Sequence, residues 1–373
     1  MRFDCVIVGA GFAGAVCAER LANQHRKNVL VVEKRDHIGG NACDCHDAHG
    51  ILVHRYGPHI FHTRKEEVWR YLSRFTAWRP YQHRVLGCVE GKLVPLPFNL
   101  DSLAALFPSA FASRAEGKLL HRFGPGARVP MLALRREEDG DLRALGEFVY
   151  EKVFLNYTQK QWGMKPEQLS PSVTARVPVV VSRDDRYFDD PWQGIPLPSY
   201  TSLFERLLAG DRIDIMLNTS YREVAKESKT RMLIFTGMID AFFDYRYGAL
   251  PYRSLQLHNS NIAVDSYQEA ATINYPNEHP YTRITEHKKL TGQAAPTTTI
   301  STEFPRPYAG EGDEPYYPIP QEANRSLYER YLQDAIQLAN VRFLGRLGQY
   351  AYLNMDECVA AALRCAEEVA ASL

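Results

Sequence analysis

Phe3-Asp4-Cys5-Val6-Ile7-Val8 runs into Gly9-Ala10-Gly11-Phe12-Ala13-Gly14, and the reading of this junction decides the fold. The first half is a short apolar, β-branched run of the kind buried in a parallel sheet. An Ala/Leu-rich segment reads as helix to about Asn23. Val29-Leu30-Val31-Val32-Glu33 is then a second strand ending on an acid. Gly9 permits the tight turn, Gly11 lets backbone approach a pyrophosphate, and Gly14 lets helix pack closely on strand. The helix start aims N–H groups and its positive dipole end at phosphate oxygens. Glu33, nineteen residues past Gly14, is placed to accept from ribose hydroxyls. Strand, glycine turn, helix and terminal acid together argue for a dinucleotide-binding unit rather than a mere Gly-rich turn.

Outward from this junction, Lys34 to Ile38 separates Glu33 from a second double glycine, Gly39-Gly40, followed by Asn41. An acid, five residues and a Gly-Gly pair extend the fingerprint as in flavoproteins with two dinucleotide-binding motifs. That spacing favours FAD over NAD. Arg231 to Phe235, then Thr236-Gly237, reads as a central strand returning to the nucleotide. Val341 to Leu344 is a last strand, broken by Gly345-Arg346-Leu347-Gly348. Asn354-Met355-Asp356 opens a final helix with Val359, Leu363, Ala366 and Ala370 on one face.

Composition excludes several classes. The 373 residues are 45% hydrophobic and 24% charged, with formal net charge zero. Bulk attraction to nucleic acid or an anionic membrane surface is therefore not expected. From Arg114 to Arg136 the six basic residues outnumber the one acidic, but without interleaved aromatics this reads as solvated helix faces. No apolar run is long enough to span a membrane, and the N-terminal run contains Asp4 and two glycines rather than a signal sequence. The seven Cys form no metal-ligand spacing, so free thiols in a reducing cytoplasm are expected, with no metal.

The middle of the chain carries seven further stretches. Gly57-Pro58-His59-Ile60-Phe61-His62 holds two histidines on a rigid loop. Arg84 to Val89 and Leu93 to Pro97 flank a turn and read as a hairpin. Leu100 to Leu106 is a helix behind an Asp101/Ser102 cap. Leu145 to Val153 is helical and leads to Phe154, Tyr157 and Trp162, mixed with Asn156, Thr158, Gln159 and Lys160. These read equally as core or as a wall for stacking a flat base. Thr174 to Pro191 contains acids, Arg176, Tyr187 and Phe188 and reads as a long surface loop, hence a lid. Ala270 to Tyr275 is a strand carrying Asn274. Tyr281 to Lys288 is a half-buried strand with Arg283 and Glu286 in one hydrogen-bonding neighbourhood, for which a cross-strand salt bridge is the plain alternative.

Seven stretches, in order, resemble the bacterial UDP-galactopyranose mutase family. They are Gly9–Ala15 (GAGFAGA), Glu33–Ala42 (EKRDHIGGNA), Tyr56–Thr63 (YGPHIFHT), Asn156–Gly163 (NYTQKQWG), Tyr281–Lys288 (YTRITEHK), Glu314–Pro320 (EPYYPIP) and Gly345–Asp356 (GRLGQYAYLNMD). The similarity runs along essentially the whole chain; only Ser109 to Arg143 aligns poorly.

The resemblance implies an α/β fold. A Rossmann-like FAD-binding domain would be built from 1–80, about 205–245 and 340–373. About 98–170 would be a helical subdomain. An antiparallel sheet subdomain for substrate would comprise about 81–97, 171–204 and 246–339, with a mobile loop at 172–192. It implies a cytoplasmic isomerase of galactofuranose and polysaccharide biosynthesis. The enzyme would interconvert UDP-galactopyranose and UDP-galactofuranose without net redox change, with FAD reduced by NAD(P)H or another reductant, as a homodimer or higher homo-oligomer.

Site roles follow from the same resemblance. Arg176 and Arg283 would grip the pyrophosphate, and His59 and His62 would line the flavin. Tyr187, Tyr317 and Tyr352 would bond the phosphates. Phe154, Tyr157, Thr158, Trp162, Phe188, Asn274, His83 and Asn354 would line the substrate cleft. FAD contacts would come from Gly9, Gly11, Phe12, Ala13, Gly14, Glu33, Lys34, Gly40, Asn41, His59, Ile60, Gly345, Arg346, Tyr352, Leu353, Asn354 and Met355. Flavin N5 would attack the anomeric carbon, expel UDP and pass through a flavin-iminium intermediate. That chemistry suits a chain with no nucleophilic triad and no evident carboxylate pair. An amine-oxidase-type flavoenzyme would instead pass electrons to an external acceptor. A non-catalytic binding protein like the GDP-dissociation inhibitors would hold no flavin.

Overall fold

Cys5–Val8, Val29–Val32 and Met232–Phe235 are four-residue runs of almost unbroken apolar side chains, as expected of strands covered on both faces. With Ile213–Met216 and Val341–Phe343 they form a five-stranded sheet ordered 213–216, 29–32, 5–8, 232–235, 341–343, every pair parallel. The computed structural model describes residues 3–170, 178–225, 230–310 and 312–373. The sheet belongs to the first of two units, made of Met1–Tyr81, Asp190–Tyr252 and Pro315–Leu373. Alternation divides its faces: Cys5 and Ile7 enter one core, and Val6, Leu30, Val32, Leu233 and Val341 the other.

The helix Phe12–Glu19 is buried along its whole length and continues as a π-helical turn, Arg20–Gln24. Two other helices, Tyr200–Leu207 and Met355–Ser372, share its core through Phe204, Leu207, Val359 and Ala366. Thus the first and last helices of the chain lie in one layer. Ser199 Oγ accepts from Ser202 N and caps the 200–207 helix, while Asn354 and Glu357 form a capping box at the start of the last. The strands Phe61–Thr63, Trp192–Leu197 and Ala77–Pro80 add a small antiparallel sheet.

The second unit comprises Gln82–Asp189 and Arg253–Glu314. Its sheet runs Tyr252–Ile262, Thr298–Pro307, Arg283–Glu286, Thr272–Asn274, Val85–Val89, Lys92–Leu96. The expected hairpin is present, with Glu90 and Gly91 at φ +51 and +73 as a two-residue turn of its twist requires. One pairing departs from the antiparallel expectation: Thr272–Asn274 lies parallel to Val85–Gly87. The two strands are far apart in sequence, so no hairpin dictates their direction. Helices Leu100–Leu106, Ser109–Phe123 and Gly140–Val149 pack around Leu103, Leu119, Leu142 and Leu145. The helical segment 98–170 lies wholly within this unit, whereas 171–204 and 246–339 are each divided between the two.

Three local expectations change. The cap of the 100–106 helix is Asn99, whose Oδ1 accepts from Asp101 N and Ser102 N, because the residue before the first helical position faces the free N–H groups. The strand from Arg283 ends at Glu286, and His287–Thr291 turns into helix. Arg283 and Glu286 are not partners: three residues apart on a strand, they point to opposite faces. Glu286 accepts instead from Tyr267 N, Gln268 N and Thr298 Oγ1. All seven cysteines are free. Among the described residues no helix is long and apolar enough to cross a membrane, and no His/Cys/Asp/Glu group could hold a metal.

Asn99→Ala removes both capping bonds from a buried helix start. It should lower unfolding stability by about 0.5–2 kcal/mol, read from the urea midpoint at unchanged slope.

Candidate active site

In the first unit the glycine turn closes on itself. Gly9 has φ +100, and a Cβ there would stand 2.1 Å from Thr236 Oγ1. A Cβ on Gly14 would stand 1.9 Å from Gly9 O, so strand and helix meet with no room for a side chain. The second double glycine joins the same place. Gly39 N donates to Ala10 O at 2.9 Å, and a Cβ on Gly40, at φ +56, would lie 2.9 Å from Gly11 Cα. Gly345, at φ +78, comes from the far end of the chain, and its Cβ would lie 3.1 Å from Ala13 Cβ. Three stretches separated in sequence thus present backbone, not side chains, around the start of one helix. That is the cradle a pyrophosphate needs, and the donor set fits a dinucleotide.

Glu33 takes a role its sequence position did not disclose. Its Oε2 accepts from Ala10 N and its Oε1 from Arg35 N, at 2.9 and 3.0 Å, so the buried carboxylate braces the glycine turn. Each oxygen retains a second lone pair with which to accept from a hydroxyl. Phe12 faces the core, 4.7 Å from the Phe204 ring centroid, so only its backbone is available to a cofactor. Ile60 is buried, Lys34 is exposed, and Asn41 Oδ1 accepts from Arg35.

The histidine loop and the C-terminal segment also lie in this unit. His59 is held by its own loop: its N donates to His54 Nδ1, and its Nδ1 lies 2.8 Å from Gly57 O. His62 Nδ1 lies 2.5 Å from Asp190 Oδ2, with Arg64 on the other carboxylate oxygen. Arg346 donates to Tyr316 O and Leu353 O. Its guanidinium sits 5.4 and 5.5 Å from the ring centroids of Tyr317 and Tyr352. Asn354 caps the eighteen-residue last helix and Met355 opens it, packed against the apolar core.

The second unit contains a cavity lined by Leu96, Pro97, Val153, Phe154, Tyr157, Thr158, Trp162, Tyr187, Asn274 and Pro276. Six of these are expected substrate residues. Phe154, Thr158 and Trp162 share a face at i, i+4, i+8, made continuous by a π-helical stretch, Tyr150–Leu155, that runs directly into Asn156–Trp162. Asn274 is 8% exposed, and its Oδ1 has no hydrogen-bond partner among the described residues. A buried orphan acceptor costs about 1–3 kcal/mol, which a ligand N–H or O–H would recover. His83 and Phe188 stand outside the lining. His83 stacks on Phe188 and meets Tyr187 edge-on, and its carbonyl accepts from Tyr187 N at 2.7 Å.

Arg283 makes the cross-strand pair. Its Nε and Nη2 donate to Glu303 Oε2 at 2.9 and 2.8 Å. Glu303 is almost wholly buried and also meets Thr282. A planar guanidinium gripped on one edge has a fixed orientation. Arg176 lies outside the described residues. Glu303, Asp190 and Arg253 carried no sequence signal, because each acts through a partner that only the fold brings near. Arg253 is buried and donates to Lys160 O and Gln161 O, closing the end of the 156–162 helix; burial holds its pKa below the usual value.

A family model described as UDP-galactopyranose mutase matches residues 152–352, and one described as an NAD(P)-binding Rossmann-like domain matches 7–75. A Klebsiella pneumoniae protein named as a probable UDP-galactopyranose mutase is 38% identical, over 99% of this chain and 95% of its own. An Escherichia coli dTDP-fucopyranose mutase is 36% identical over 97% of both chains. Among solved structures, a reduced UDP-galactopyranose mutase superposes with a TM-score of 0.72 at 16% identity, covering 100% of this chain and 95% of that one.

The cradle makes a sharp demand. Gly40→Val should drive a side chain into Gly11 and yield folded protein without visible flavin absorbance after purification, at near-normal far-UV circular dichroism.

Proposed function

The chain belongs to the UDP-galactopyranose mutase family, a family of flavin-dependent enzymes, and we propose that it interconverts UDP-galactopyranose and UDP-galactofuranose with no net redox change. FAD, when bound and reduced, would supply through its N5 the nucleophile for the sugar's anomeric carbon. The rest falls to the protein. The observation that carries this reading furthest is the aromatic cavity holding an orphan acceptor. Tyr157 and Trp162 offer faces to a flat base, and Asn274 Oδ1 awaits a donor from the nucleotide sugar.

Cleavage of the anomeric C–O bond leaves growing negative charge on the departing pyrophosphate. Arg283 is the proposed receiver in the second unit. Its Nε–Nη2 edge is held by Glu303, so the guanidinium is oriented before substrate arrives and pays little reorganisation at the moment of reaction. Arg176 is proposed as a second receiver, and Tyr187, Tyr317 and Tyr352 as phenol donors to the phosphates. Phe154, Thr158, Phe188, His83 and Asn354 are proposed as further substrate contacts. In the first unit the glycine cradle would hold the FAD pyrophosphate, Glu33 its ribose, and His59, His62, Arg346 and Met355 the flavin. The helix beginning at Met355 would place its positive end toward the flavin and favour an anionic reduced form. A homodimer, a cytoplasmic setting, NAD(P)H or another reductant, and a place in polysaccharide galactofuranose synthesis complete the proposal.

The dTDP-fucopyranose mutase is nearly as similar as the Klebsiella protein, so the substrate arm of the test needs both nucleotide sugars. Holoprotein reduced with dithionite should convert UDP-galactofuranose to the pyranose by chromatography, and oxidised holoprotein should not. Conversion of dTDP-fucopyranose alone would reassign the sugar and base. Conversion of neither would refute the mutase reading. Arg283→Ala should lower kcat/KM by about 10²–10³ and weaken UDP binding while flavin content is kept. Unchanged UDP titration would return Arg283 to a structural salt bridge.

A further inference from the structure

The cavity of the second unit has two walls. One is the helix bearing Tyr157 and Trp162, and the other is the strand end bearing Asn274 and Pro276; Arg283 is not in the lining but stands opposite Asn274 on the paired strand. The strands pair over Thr272–Asn274 and Arg283–Thr285, one further bond runs from Tyr275 N to Thr282 O, and the turn beyond is long. Three of its carbonyls turn toward the helix. Tyr275 O, Asn277 O and Tyr281 O converge on Lys160 Nζ at 2.8, 3.3 and 3.4 Å. An ammonium has three N–H donors and here meets three acceptors. The Asn277 side chain makes a second junction one to two helical turns earlier. Its Nδ2 donates to Lys152 O at 2.8 Å, within the π-helical stretch, and its Oδ1 accepts from Asn156 Nδ2 at 3.0 Å. Arg253 secures the same helix from its other end, through Lys160 O and Gln161 O.

We propose that Lys160 and Asn277 form a latch that sets the spacing between the two walls, making Lys160 a positioning residue for substrate. Neither Lys160 nor Asn277 is a lining residue; the latch acts by holding Tyr157 and Trp162 at a fixed distance from Asn274 and, behind it, Arg283. A lysine spent on backbone carbonyls in a half-buried place is costly as a mere solvated charge. Burial lowers its pKa, and Glu278 partly restores it. Its benefit is geometric: one cation ties the carbonyls of this turn to the helix.

The inference rests on the mutase reading of this cavity, and the test separates the two. Lys160→Met and Asn277→Ala are each compared with wild-type holoprotein for UDP affinity, KM, kcat, flavin content and melting temperature. The expectation is a rise of about tenfold in the UDP dissociation constant and in KM, with kcat changed by no more than about twofold and flavin content intact. Lys160→Arg, which still presents several N–H donors to the carbonyls, should restore most of the affinity. Should Lys160→Met yield no holoprotein, Asn277→Ala carries the same expectation. Variants that bind UDP as wild type does overturn the latch alone. Variants that only melt earlier, with KM unmoved, reduce it to a structural brace and overturn it too. A wild-type holoprotein that does not bind UDP overturns the mutase reading and the latch together.

Discussion

Two main chains meet without an intervening side chain where Gly11 faces Gly40, and the nucleotide half of the molecule depends on that approach. It requires Gly14 to seat the first helix on its strand and Gly345 to admit the C-terminal segment beside Ala13. It also requires Glu33, whose carboxylate ties Ala10 and Arg35 into one turn. The apolar core beneath, from Cys5 through Phe204 to Val359, fixes these backbones to within the tolerance that bare backbone contacts allow. The polar architecture is therefore borrowed from the packing below it.

The second unit solves a different problem. On the proposed reading, it presents charge and aromatic surface to a substrate without letting either collapse inward. Glu303 does this for Arg283 by taking one edge of the guanidinium and leaving its plane set. A buried carboxylate is costly unless fully bonded, and here the arginine and Thr282 bond it. Trp162 and Phe154 bury most of their surface while lining a cavity, so a partner stacking there, as proposed, would cost them little side-chain freedom.

The dinucleotide turn was legible from sequence because its geometry is local: Gly9, Gly11, Gly14 and Glu33 have meaning at their spacing alone. The final helix and the hairpin around Glu90-Gly91 were legible for the same reason, through periodicity and turn chemistry. Arg283 was legible as a residue, but its partner was not. Glu286 is near in sequence yet on the opposite face, whereas Glu303 is across the register of a neighbouring strand. The cap at Asn99 was missed by two to three residues, because the residue before the first turn, not one within it, faces the free N–H groups. The parallel pairing of Thr272–Asn274 with Val85–Gly87 joins segments nearly half the chain apart, and no single-strand pattern encodes it.

The wide turn at Tyr150–Leu155 has a consequence for how this chain can vary. Removing one residue there would rotate everything downstream by roughly 100° about the helix axis. Tyr157 and Trp162 would swing off the cavity while every side chain stayed intact. The stretch behaves as a counting device: its length, more than its composition, is what inheritance must preserve. Insertions and deletions among descendants should therefore gather at tips such as Gly124-Pro125-Gly126 and avoid this half-dozen positions altogether.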